Sequence, residues 1–149
     1  MSVLVFPGQG SQYLNMAMDF NENFSVSREV FLEIEESCKL NVRKIISQNQ
    51  QDSLNQTNYT QISIFSASMV IYKTLLNQIG DEKIVPKIVL GHSLGEYSAL
   101  VAANVLSLSD ASKLIKIRGE LMHSAIEPNT SGMAAIIGKS AKQIKEIIE

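Results

Sequence analysis

The sequence predicts an α/β fold with a largely parallel sheet, and three observations carry that prediction. Apolar, β-branched runs alternate with stretches of helical periodicity along the chain. Two of those runs, residues 2–6 and 88–90, stop at the glycine-rich turns Pro7-Gly8-Gln9-Gly10 and Gly91-His92-Ser93-Leu94-Gly95, as buried strands leaving a sheet do. The second turn runs directly into a helical pattern, giving a strand–turn–helix unit.

Each element follows from its own pattern. Residues 2–6 (Ser-Val-Leu-Val-Phe) read as a buried strand. Residues 25–40 show helical spacing at Val30, Phe31, Ile34 and Cys38. Residues 49–58, rich in Gln, Asn and Ser, read as a surface loop. Residues 60–78 form a long helix that is apolar on most sides (Ile62, Ile64, Phe65, Met69, Ile71, Leu75, Leu76), the mark of a helix inside a domain. Pro86 precedes a second short buried strand at 88–90. Helices follow at 94–104 and 109–127, then a loop at 128–132 and a strand at 133–137. A capping box, Ser140-x-x-Gln143, opens a last helix at 141–149. That helix meets no Gly or Pro stop, and a strand and helix begun after residue 131 lack partners, so a cut sequence is expected.

Composition narrows the function classes. Hydrophobic residues make up 45% of the 149 and charged residues 19%, which fits a globular domain and not a disordered chain. Thirteen basic against fifteen acidic residues give a net charge of -2, so the dense positive field of a nucleic-acid binder is absent. No apolar stretch reaches the ~18–20 residues of a membrane span. No basic segment precedes the first apolar run, so no secretory signal is expected. The single cysteine, Cys38, cannot pair within the chain, and a cytoplasmic location is the default expectation. The reading calls for no metal and no cofactor.

The chemistry centres on Gly91-x-Ser93-x-Gly95. A serine on a sharp turn between strand and helix needs neighbours without side chains, and the geometry exposes its hydroxyl at a helix N-terminus. Unpaired N–H groups there can stabilise an oxyanion. The competing reading is a helix N-cap, since Ser93-x-x-Glu96 also fits a capping box. Gln9, between two glycines after the first strand, could bring a second oxyanion-hole N–H or simply belong to an ordinary turn.

Arg118 is the second unusual residue. Apolar residues at 111, 114, 115, 121, 122 and 125 define one helix face, and position 118 belongs at its centre. A buried guanidinium needs an acceptor, because desolvation costs several kcal/mol. An internal ion pair, a snorkelling side chain or a ligand carboxylate held by the planar guanidinium fork would each supply its surroundings. A general base is missing. Serine at neutral pH needs one, most often histidine. His92 should project away from Ser93 as a core or turn residue, and His123 should face solvent.

Phe6-Pro7-Gly8-Gln9-Gly10-Ser11-Gln12, Gly91-His92-Ser93-Leu94-Gly95-Glu96-Tyr97-Ser98-Ala99, Arg118-Gly119-x-x-Met122 and Gly132-Met133-Ala134-Ala135-Ile136-Ile137-Gly138 together resemble the malonyl-CoA:acyl-carrier-protein transacylases of fatty-acid synthesis. The resemblance implies an α/β-hydrolase-like parallel-sheet subdomain, incomplete here, with the start of an inserted ferredoxin-like subdomain. Residues 1–128 would belong to the first and 129–149 to the second. It implies that Ser93 takes a malonyl group from malonyl-CoA and passes it to the phosphopantetheine thiol of acyl carrier protein. It also implies that the backbone N–H groups of Gln9 and Leu94 form the oxyanion hole, that Arg118 holds the malonyl carboxylate, and that Gln61 lies near the substrate, with Ile62 in place of the usual proline. The family's catalytic histidine lies in a C-terminal half that this chain does not contain, and a complementary C-terminal chain could supply it. A serine esterase or thioesterase, and an inactive carrier-protein-binding fragment, are the alternatives.

Overall fold

The computed structural model describes residues 2–48, 51–125, 127, 130 and 136–148. In chain order the elements are β1 (Val3–Phe6), α1 (Met18–Asn23), α2 (Ser25–Cys38), α3 (Val42–Gln48), α4 (Gln51–Leu54), α5 (Thr57–Ile79), β2 (Ile88–Gly91), α6 (Gly95–Ala102), α7 (Leu108–Ser124) and α8 (Ala141–Ile148). The α/β class and the parallel pairing both hold: β1 and β2 run parallel, with Val3 opposite Ile88 and Phe6 opposite Gly91.

The helical layer is built on α5, which packs against α2, α3, α6 and α7. Its first two-thirds bury residues all round, including Thr60, Gln61, Ile62, Ser63, Ile64 and Phe65. Ile71, Leu75 and Ile79 lie further along and are exposed. The expected face of α2 is the buried one, carrying Val30, Phe31, Ile34 and Cys38. Burial pushes the Cys38 thiol above its ordinary pKa. Helix α6 lies on both strands, and the ring of Phe6 meets that of Tyr72 edge-on at 5.9 Å, joining β1 to α5. Among the described residues no helix is long and apolar enough to cross a membrane.

Four expectations need correction. The two strands are not buried: Val3, Val5, Ile88 and Leu90 are about half exposed or more, because the described sheet has two strands and helix α6 on it. The polar stretch 49–58 is not all loop. Gln51–Leu54 forms a helical turn, and α5 begins at Thr57. Leu54, the one large apolar residue in that stretch, is fully buried and anchors it. Helix α7 ends at Ser124, before the expected residue 127. Its buried face is also rotated from the expected stripe. Leu108, Ala111, Ser112, Ile115 and Gly119 face inward, while Leu114, Leu121 and Met122 are exposed. Helix α7 packs on both α2 and α5, and at Gly119 the missing side chain lets Asn58 of α5 come close. The capping box of α8 is formed: Ser140 N–H donates to Gln143 Oε1 at 3.0 Å, and Gln143 N–H to Ser140 Oγ at 3.4 Å. The expected loop at 128–132 and strand at 133–137 fall largely outside the described residues.

Candidate active site

Parallel strands leave a sheet at the same edge, and ligand sites of parallel sheets gather beyond the carboxyl ends of the strands. Here that edge receives the loop after β1, carrying Gln9, and the turn after β2, carrying Ser93. The two are tied where they leave the sheet, by His92 N–H donating to the Phe6 carbonyl at 3.1 Å. The first loop is braced by its neighbours in sequence. Ser11 Oγ donates to the Gly8 carbonyl at 2.9 Å, and Gln12 Oε1 accepts from Gly10 N–H at 2.8 Å.

The second turn is an elbow. Ser93 has φ 52, a left-handed conformation that side chains rarely adopt and that costs about 1–2 kcal/mol. Gly95 N–H donates to the His92 carbonyl and Glu96 N–H to the Ser93 carbonyl, at 2.9 and 3.1 Å, so the chain folds tightly into α6. Both flanking glycines are sterically required. A Cβ on Gly91 would lie 2.0 Å from the carbonyl carbon of Gly95, and one on Gly95 would lie 2.4 Å from the Phe6 carbonyl oxygen. Ser93 is exposed. Its side chain does not cap α6, which sets aside the N-cap reading.

The serine hydroxyl instead accepts a hydrogen bond from Arg118 Nη2 at 3.1 Å. Arg118 is partly buried at the margin of the inward face of α7, and not at its centre as the stripe implied. Its Nη1 donates to Gln61 Oε1, and its guanidinium carbon sits 5.8 Å from the centroid of the Tyr97 ring, within cation–π range. Among the described residues no carboxylate forms an ion pair with Arg118. Of the alternatives open for this residue, the internal ion pair is therefore not formed among the described residues.

The residues singled out in the sequence thus gather at one sheet edge: Ser93, Arg118 and Gln61 in a hydrogen-bonded chain, with the Gln9 loop alongside. The backbone N–H groups of Gln9 and Leu94 have no acceptor among the described residues. Neither histidine joins them. His92 is an exposed turn residue packed against Gly8, and His123 is exposed on α7. Neither forms a hydrogen bond with Ser93 Oγ. The sequence pattern gave Tyr97, Gly119 and Met122 no part in the site: all three stood in matched blocks, and Met122 counted otherwise only as part of the apolar stripe. Among the described residues no group of three or more His, Cys, Asp or Glu side chains could hold a metal ion.

The family described as the acyl transferase domain matches residues 3–147. A malonyl CoA-acyl carrier protein transacylase from Haemophilus influenzae is 39% identical over 135 residues, covering 91% of this chain and 43% of the relative. The solved acyl-carrier-protein-S-malonyltransferase of Bartonella henselae superposes with a TM-score of 0.88 at 39% identity, over 99% of this chain and 47% of its own. A malonyl-transacylase solved in complex with a type II PKS acyl-carrier protein superposes with a TM-score of 0.75 at 37% identity, over 83% and 39% of the two chains. This chain therefore spans less than half the length of each of these relatives.

Proposed function

The chain belongs to the acyl transferase domain family, and from that premise we propose that it carries the nucleophile half of an acyl-carrier-protein S-malonyltransferase. Ser93 Oγ attacks the thioester carbonyl of malonyl-CoA. A C–O bond forms, the C–S bond breaks, and the proton of the hydroxyl passes through a general base to the departing CoA sulfur. The phosphopantetheine thiol of acyl carrier protein then attacks the serine ester and regenerates the hydroxyl. The N–H groups of Gln9 and Leu94 receive the negative charge on the carbonyl oxygen in both steps. The observation that carries this reading is the Arg118 guanidinium, hydrogen-bonded to the Ser93 hydroxyl and, among the described residues, paired with no carboxylate. A free carboxylate on the acyl group satisfies it, whereas a hydrolase for neutral acyl chains has no use for such a charge.

In this reading residues 1–128 belong to the α/β-hydrolase-like subdomain and 129–149 begin the ferredoxin-like one. The general base comes from a C-terminal segment, and the setting is the cytoplasm. The test is intact mass after incubation with malonyl-CoA, with and without the C-terminal half of a homologous transacylase. We expect one malonyl group on the complemented chain, none on Ser93→Ala, and about 10- to 100-fold less on Arg118→Ala, the worth of a charge-assisted, forked hydrogen bond. No added mass in the complemented chain would overturn the assignment. Acylation of Ser93 in the chain alone would show that the base lies within these 149 residues.

A further inference from the structure

The partners of Arg118 have one property in common: the Gln61 amide, the Ser93 hydroxyl and the Tyr97 ring are all neutral. Gln61 is itself fully buried on α5, and both ends of its amide are engaged. Oε1 accepts from Arg118 Nη1, and Nε2 donates to Met122 Sδ at 3.1 Å. Arg118 and Met122 are four residues apart, one above the other on α7. They grip the amide from two sides and fix which end faces the guanidinium. Between them sits Gly119, where a Cβ would lie 3.1 Å from the Cα of Asn58. The glycine lets α5 and α7 approach closely one turn from Gln61, bringing the amide into reach.

We propose that Gln61 is a positioning residue, a neutral buried tether that holds the Arg118 guanidinium beside the Ser93 hydroxyl without neutralising its charge. The inference rests on the malonyl reading above and adds how that site keeps its selectivity. A carboxylate at position 61 would hold Arg118 equally well but would pair with it, leaving nothing for the free carboxylate of the substrate. An amide contributes a charge-assisted hydrogen bond and leaves the net charge in place. Met122 prevents the amide from turning its NH2 group toward the guanidinium, where donor would meet donor. Gln61 thus acts through Arg118 and need not touch the substrate.

Two measurements on the 149-residue chain test this, both using Gln61→Glu, Gln61→Ala and Met122→Leu. The first is the affinity for malonyl-CoA relative to acetyl-CoA, in a Ser93→Ala background that prevents acylation. Gln61→Glu should lower the malonyl-over-acetyl preference at least tenfold. Met122→Leu should lower it about two- to fivefold. The second is the Arg118 Nε–H resonance, with the backbone amide spectrum as the check on folding. It should move in both Gln61 variants, whatever the substrate. An unmoved resonance in a folded Gln61→Ala chain, or an unchanged malonyl preference in Gln61→Glu, overturns the tether. A moved resonance with no malonyl preference in the parent chain would support the tether and overturn the malonyl reading instead.

Discussion

Two helices of this protein begin with the same sequence pattern, a serine followed three residues later by an acid, and use it in opposite ways. At α7, Ser107 has extended backbone angles, and its hydroxyl accepts from Asp110 N–H at 3.0 Å while lying 2.8 Å from Asp110 Oδ2. At α6, Ser93 has φ 52, its hydroxyl caps nothing, and it faces Arg118. The first serine completes a helix. The second is held off its helix by a left-handed turn that two glycines allow. The pattern of side chains is shared, and the backbone angle decides whether the hydroxyl caps its helix or turns toward Arg118.

The comparison can be broken most severely at its glycine hinge. Gly91→Ala places a methyl group against the backbone of Gly95, with no flexible side chain to yield. We expect a loss of about 3 kcal/mol or more, the upper range of overpacking, seen as a lowered denaturation midpoint together with loss of acylation at Ser93. Normal stability in Gly91→Ala would mean that the elbow is not tightly packed. Ser107→Ala should cost about 1 kcal/mol, the worth of a lost N-cap. Ser93→Ala should change stability by less than ~0.5 kcal/mol, as expected where no cap is lost. Equal costs for the two serines in urea titration would contradict the division of roles.

The smallest effect is a titration. The Ser107 hydroxyl, followed by Lys113, holds the Asp110 carboxyl below the usual carboxylate range. A depressed carboxyl contributes stability above its unfolded pKa and loses it as pH falls through the folded one. A carboxyl-detected NMR titration should therefore show Asp110 titrating lower than in the unfolded chain, with Ser107→Ala moving it back up. An Asp110 midpoint unmoved by that substitution would show that Lys113 alone sets it.

The same contrast separates what was legible in the sequence from what was not. Helix α2 was readable because Val30, Phe31, Ile34 and Cys38 repeat at the helical period, and its buried face carries those four. The stripe on α7 misled, because a hydropathy pattern weighs bulk. Packing on α2 and α5 instead buried the small residues Ala111, Ser112 and Gly119, and at Gly119 the missing side chain is what lets Asn58 come close. Helix α4 was hidden because Leu54 is its only buried residue. The strands looked buried because every residue from Val3 to Phe6 is apolar. A run of apolar residues marks a segment fit for burial, and whether anything covers it depends on elements elsewhere.

By itself, the sequence determined the α/β class, the elbow at Ser93 and the oddity of Arg118. Each rests on local chemistry: hydrophobic period, glycine spacing, and a charge where apolar residues surround it. Only the tertiary structure decided that Ser93 faces Arg118 and does not cap α6, that the partners of Arg118 among the described residues are neutral, and that Gln61 and Met122 grip one another across two helices. The contact between residues 61 and 118 spans 57 positions, and no local period encodes it. It exists because α5 and α7 pack closely at Gly119, a property of two surfaces together and of neither alone.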